Sequence, residues 1–338
     1  MPRTPRNPRL RALRRRVPRA AGTAALAVAL TVLAVAPTSA GEQPLALSHP
    51  RVVTRFDFAA GQTPENIVLE PDGSANLTFA HARQVARVTV QGDTRILATL
   101  PSAANATATP LIGVAVVTGI ARTRDGSLYV GYPTGTADLT GIWRIAPDGS
   151  VSRFAALPPD GFANGLAVDE RRGVLYAADS VRGTVWRVSL RDGSVTAWAT
   201  RAELQPVSSV GANGIQLRPD AVWVSNPDHG TLLRIPVLRD GSAGVVQTRA
   251  TGLAGIDDFA FVGTGETVLA ALHTTSEIAV VQPDGTHSVL LGPRDGLTNP
   301  TSVAVRQQQV YVPGAASATM QDPNLLLARL GKQKKHRA

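Results

Sequence analysis

The sequence predicts an all-β fold built from one repeated four-stranded unit, and three observations predict it. Short segments alternate apolar and polar residues with a period of two, as half-buried strands do. Asp-Gly dipeptides punctuate them at Asp72-Gly73, Asp125-Gly126, Asp148-Gly149, Asp192-Gly193, Asp240-Gly241 and Asp284-Gly285, the signature of tight hairpin turns. The whole pattern also returns at a fixed interval. Residues 162–200 and 211–250 align as an apolar stretch after a Gly, an alternating strand with an aromatic residue (VLYAAD, AVWVSN), and a loop ending in Gly-Thr. A further strand (VWRVSL, LLRIPV), an Asp-Gly-Ser turn and a last strand complete each unit.

Aligned on the residue that opens the first strand, the units begin at Glu65, Thr118, Asn164, Asn213, Asp257 and Thr301. The intervals of 53, 46, 49, 44 and 44 residues suit the blades of a propeller. The sixth unit supplies only three strands, whereas an unpartnered strand, RVVTRFDF at 51–58, precedes the first. The predicted fold is a six-bladed β-propeller with four antiparallel strands per blade, its N-terminal strand closing the last blade. Closure leaves no free sheet edge to recruit another chain, so a monomer is expected. No sustained 3.6-residue period follows residue 40, so helix content should be very low.

The ends have a different composition. Residues 1–40 contain eight Arg and no acid, then the run AAGTAALAVALTVLAVA and the small-residue end PTSA. That order describes a secretory signal peptide, removed at about residue 40, and a secreted protein without stable membrane insertion. The expected propeller spans 41–330, and the basic segment 331–338 is expected to be a disordered tail. Of the formal net charge of +9, the two ends carry the excess: residues 41–328 hold 21 cations and 25 acids. Such a body lacks the basic surface that nucleic-acid binding needs. Cys is absent, which excludes a disulfide framework, a zinc ribbon and a thiol nucleophile. There is also no Gly-x-Ser-x-Gly elbow, no His-Glu-x-x-His and no phosphate loop.

The six opening residues should ring one end of the central channel. All six are polar, although the strands they open read apolar, so the ring is the predicted ligand site. Loops between second and third strands should add walls on the same face: Tyr132 and Thr134, Asp179 and Ser180, Asn226, Asp228 and His229, and His273 with Thr274. Thr118 and Thr301 of the ring, with Asp179, Asn226 and His229 of the loops, are the expected pocket rim, and His273 is a weaker catalytic candidate. Hard oxygen donors on the ring suit Ca²⁺ or another hard divalent cation rather than zinc.

The string NGLAVDERRGVLYAADS followed by GTVWRV resembles the SMP-30/gluconolactonase/LRE-like family of six-bladed propellers, over about residues 50–328. The strings PEN at 64–66 and DDF at 257–259 look like a divergent secreted branch. The resemblance implies a divalent cation at the channel mouth and hydrolysis of lactones or esters. Its implied ligands are a Glu opening the first blade, matched by Glu65, and the Asn of an Asn-Gly pair, matched by Asn164. The third implied ligand, an Asp that also serves as base, is Asn213 here, and Thr118 replaces an Asn of the second blade. An amide can still ligate through oxygen but accepts no proton near neutral pH. A hydrolase would therefore need another base, and Asp257 is the candidate. Strand alternation would turn Asp258 to the opposite face. A non-hydrolytic small-molecule binder or cyclisation catalyst, and an interaction scaffold, remain alternatives.

Overall fold

A computed structural model of the chain describes residues 45–102 and 109–332. These lie within the second of two compact units, Gln43–Ala338. The expected signal peptide and residues 333–338 of the expected tail lie outside the described residues.

Six four-stranded antiparallel sheets form the fold, and short 3₁₀ turns at Ala202–Leu204 and Pro293–Asp295 are the only helical elements among the described residues. The blades span residues 64–99, 120–156, 163–200, 215–250 and 256–291, and the sixth combines 304–332 with the N-terminal strand. That strand, Leu45–Arg55, pairs antiparallel with Asn324–Lys332. The expected closure is present, with shifted bounds: the strand starts and stops earlier than 51–58, and Phe56–Phe58 have already left the sheet. The tail boundary also moves, because Gly331 and Lys332 still pair with Ala46 and Leu45. Backbone pairing there overrides the polar composition from which the tail was predicted.

Second strands are buried on both faces. Ala75–Phe79, Leu128–Tyr132, Val174–Asp179, Ala221–Asn226 and Val268–Leu272 are buried at every position. Each blade packs on the next through its own apolar cluster. Tyr176 and Ala178 of blade three meet Ile215, Val222 and Val224 of blade four, and Tyr311 and Leu325 of blade six meet Leu77 and Phe79 of blade one. Burial of apolar area across six such seams, worth about 25 cal/mol per Å², holds the ring together. Turns at the far end share one device. The carboxylate of Asp72 accepts from Ser74 N, that of Asp192 from Ser194 N, and that of Asp284 from Thr286 N, while the intervening glycines, such as Gly73 at φ 93°, occupy left-handed backbone that favours Gly.

Candidate functional site

Five of the six opening residues come together around one cavity of about 660 Å³ at the end of the channel: Glu65, Thr118, Asn164, Asn213 and Asp257. Its upper wall adds Ala80, Val116 and Phe162, a small apolar cluster of its own. Leu111 and Ile112, the Ser209-Val210 segment, His81, Asp228, His273 and Thr274 also line it. No Arg or Lys is among the lining residues.

The floor is built by backbone. Gly119 N donates to Asn164 O at 2.8 Å and Gly165 N to Asn213 O at 3.0 Å, each bond crossing to the next blade. Asp258 N reaches Thr301 O at 3.1 Å in the same way. Gly165 is required by that approach: a Cβ there would sit 2.6 Å from Asn213 O and 2.9 Å from Ile215 N. Thus the Asn-Gly pairs read from the sequence are a packing device that aims the Asn side chains inward.

Asn213 is engaged through its nitrogen: its Nδ2 donates to Asp257 Oδ1 at 2.8 Å, while its Oδ1 accepts only a long 3.5 Å contact from Ser180 Oγ. The hydroxyl of Ser225, itself buried, donates to the main-chain carbonyl of Asp257 and fixes that residue from the neighbouring blade. The Glu65 carboxylate and the Asn164 amide accept and donate no side-chain hydrogen bond among the described residues, so both remain available to a ligand.

Strand alternation fails at Asp257-Asp258. Pairing between Ile256–Phe261 and Val268–Leu272 shifts register between Ile256 and Phe259, and this bulge turns both carboxylates into the channel. The expectation that Asp258 would face away is corrected accordingly. Asp258 lies beneath the floor, buried, where its carboxylate accepts from Asn66 Nδ2 at 3.0 Å and Ser302 Oγ at 3.2 Å, and from its neighbour Phe259 N at 2.8 Å. Burial and then the Asp258 charge push Glu65 up to about 7. Burial, then Glu65 and Asp258, hold Asp257 well above the usual carboxylate range, against the Asn213 hydrogen bond. Burial raises Asp258 to about 6, although its hydrogen bonds oppose the shift. Three carboxylates therefore crowd the channel with no cationic side chain in the lining.

His273 stands beside Asp257, with Nδ1 3.8 Å from Asp257 Oδ2, beyond a hydrogen bond. Its Nε2 meets Ser317 Oγ at 2.9 Å, and Nδ1 is buried without a partner. Burial holds its pKa below the ordinary imidazole value, which favours the neutral ring.

The remaining expected rim residues serve the scaffold. Thr301 is buried and its hydroxyl donates to Pro64 O at 3.2 Å, tying blade six to blade one outside the cavity lining. The Asp179 carboxylate accepts from Phe162 N and Trp186 Nε1, and Asn226 Nδ2 donates to Glu203 O and Gln205 O. Both close loops below the surface instead of lining the pocket. His229 is exposed and away from the lining. Thr118 does line the cavity, although its hydroxyl is spent on Ala163 O at 2.7 Å.

Sequence reasoning missed His81, whose Nδ1 meets Thr63 Oγ1 at 2.9 Å, the apolar pair Leu111-Ile112, and the role of Asp228. The Asp228 carboxylate accepts from the main-chain N–H groups of Val207, Ser208, Ser209 and Val210 at 2.7–3.1 Å. Burial would raise its pKa, but these bonds lower it to about 2. The wall loop 207–210 is thereby locked to an ionised anchor. Asp228 follows the second strand of its blade at a position the repeat aligns, which is a legible signal; the loops themselves do not repeat.

Fold and site together define a six-bladed propeller with a carboxylate-rich cavity at the mouth of its channel. Known structures share that architecture. A gluconolactonase from Xanthomonas campestris is similar over 86% of this chain and 96% of its own, at 15% identity and a TM-score of 0.61. The calcium-binding protein regucalcin from Agrobacterium tumefaciens matches over 85% and 96%, at 16% identity and a TM-score of 0.61. A catalytically inactive virginiamycin B lyase from Staphylococcus aureus, solved with quinupristin, matches over 83% and 99%, at 13% identity and a TM-score of 0.55. At such identities the likeness establishes the fold. No protein-family profile matches the sequence, and no curated protein does either.

Proposed function

We propose that the cavity is the active site of an enzyme that opens lactones or esters with the help of a divalent cation, Ca²⁺ by donor chemistry, and that the protein works after export as a monomer. One observation carries the reading: Glu65, Asp257 and Asp258 crowd the channel without a cationic side chain, with Glu65 and the Asn164 amide left open to a ligand. Burial raises all three, the Asp258 charge adds to the shift of Glu65, and Glu65 and Asp258 add to that of Asp257, so a positive charge beside Glu65 and Asp257 would be favoured. Among the described residues no group of three or more His, Asp or Glu is arranged to hold a metal. A cation would therefore rest on a mixed set of carboxylate and amide oxygens, which suits a hard ion. Glu65, Asn164 and Asn213 are the residues that would hold it, and it would polarise an ester carbonyl at the floor.

Asp257 supplies the base. Its carboxylate is oriented by Asn213 Nδ2 and is 15% exposed, facing the cavity. It takes a proton from a water molecule as that water's oxygen bonds to the carbonyl carbon. The proton then passes to the leaving oxygen as the ring C–O bond breaks, so that water is added across the ester. His273, with Nδ1 3.8 Å from Asp257 Oδ2, is the neighbouring imidazole and makes no hydrogen bond to it. Similarity in fold to a gluconolactonase supports this reading, and similarity in fold to a virginiamycin B lyase supports a non-hydrolytic lyase reaction as the second one. A lactone-hydrolysis assay tests it: Asp257→Asn is expected to lower kcat by about 10²–10⁴-fold and a chelator to abolish turnover. Activity that survives Asp257→Asn removes the assigned base.

A further inference from the structure

We infer that the substrate of this site carries an apolar body, a hydrophobic lactone or ester instead of a polyhydroxylated sugar lactone; the inference rests on the reading of the cavity as an ester-opening site. The cavity is divided by chemistry. Its floor is polar, at Glu65, Asn164, Asn213 and Asp257. Its upper wall is aliphatic and aromatic: Val116 and Phe162 are buried, while Leu111 and Ile112 line the mouth at 42% and 43% exposure. Apolar side chains left in water at the mouth of a cavity gain free energy when a ligand covers them.

The loop that presents the pair is braced. Thr109 Oγ1 donates to Val114 O at 2.7 Å and Gly113 N to Thr109 O at 3.0 Å, so Leu111 is held at φ 76°, in left-handed backbone that a leucine seldom adopts. Leu111, Ile112, Val116 and Phe162 offer a sugar hydroxyl no side-chain partner. The hydroxyl of Thr118 is already bonded to Ala163 O and that of Thr274 to Ala254 O. Sugar hydroxyls pressed against this wall would lose water without gaining partners. A ligand with one ester at the floor and a hydrocarbon chain or ring along Leu111, Ile112 and Phe162 satisfies both halves, and about 660 Å³ accommodates a body of that size.

The test compares two lactones of opposite body, γ-undecanolactone and δ-gluconolactone, on the wild-type chain and on Leu111→Ser/Ile112→Ser, with kcat/KM taken relative to each lactone's own uncatalysed hydrolysis, which is much faster for the δ-lactone. Wild-type kcat/KM should favour γ-undecanolactone by about tenfold or more, and the double variant should reduce that ratio by about tenfold. Ile112→Val, which keeps the apolar surface, should retain the ratio. An equal or greater kcat/KM for δ-gluconolactone on that scale, or a ratio unmoved by the double substitution, overturns the inference. If neither lactone is hydrolysed, the ester-opening reading fails by itself, and calorimetric binding of γ-undecanolactone decides this point separately. Binding weakened about tenfold in the double variant sustains the apolar site, and binding that is absent or equal in both chains overturns it.

Discussion

The two halves of the channel ring are built differently. In blades two, three and four the opening residue is followed by glycine: Thr118-Gly119, Asn164-Gly165 and Asn213-Gly214. There the next blade's backbone occupies the space a side chain would need, and Gly119 and Gly165 donate straight into neighbouring carbonyls. In blades one, five and six the follower has a polar side chain: Glu65-Asn66, Asp257-Asp258 and Thr301-Ser302. Those three followers bond to one another, with Asp258 accepting from Asn66 and Ser302. One half is thus closed by main chain and sets distances. The other is plugged by side chains and brings every carboxylate of the ring to the same side. The division shows how a repeat of near-identical units yields an asymmetric site: the fold is repeated, and the charge is not.

The glycine half should be the less tolerant. Gly165→Ala drives a methyl group against Asn213 O and Ile215 N, both backbone, and relief requires separating two blades. A loss of about 3 kcal/mol is expected in denaturant unfolding, and a loss below 0.5 kcal/mol would show that the seam is looser than its hydrogen bonds imply. On the plugged half, Asp258→Ala leaves Asn66 Nδ2 and Ser302 Oγ without their acceptor. It should cost about 2 kcal/mol, and Ser302→Ala, which removes a single donor, less than half of that.

A smaller effect separates the halves by charge. Glu65 is raised from 4.5 to about 7 and Asp258 from 3.8 to about 6. Carboxyls raised in the folded state add stability at low pH, in full below their unfolded values, and that contribution is lost as pH climbs through 6 to 7. The cation-free protein should therefore melt several degrees lower at pH 7.5 than at pH 5, and Glu65→Gln should flatten the difference. A melting temperature that rises between pH 5 and 7.5 in the chelated protein would contradict the crowding of these carboxylates.

Much of this was legible in the sequence. The repeat located all six opening residues, and the missing strand announced ring closure, because both are properties of a periodic backbone. Asp258 was misplaced because alternation assumes an unbroken ladder, and the bulge after Ile256 leaves no compositional mark. Asp179 and Asn226 looked like rim residues because they end second strands, yet their side chains turn back to satisfy loop N–H and C=O groups, a need that exists only once the loops are folded. Leu111, Ile112 and the 207–210 loop stayed invisible for a related reason: they lie between repeats, where no period ties a residue to a place on the cavity wall.

The central claim is that the charged half of the ring receives a cation through Glu65. Calorimetric titration of the chelated protein with Ca²⁺, on wild type and Glu65→Gln, tests it most directly. A single saturable site in wild type that disappears in Glu65→Gln is the expected result. No binding heat in wild type, or undiminished binding in Glu65→Gln, would contradict it.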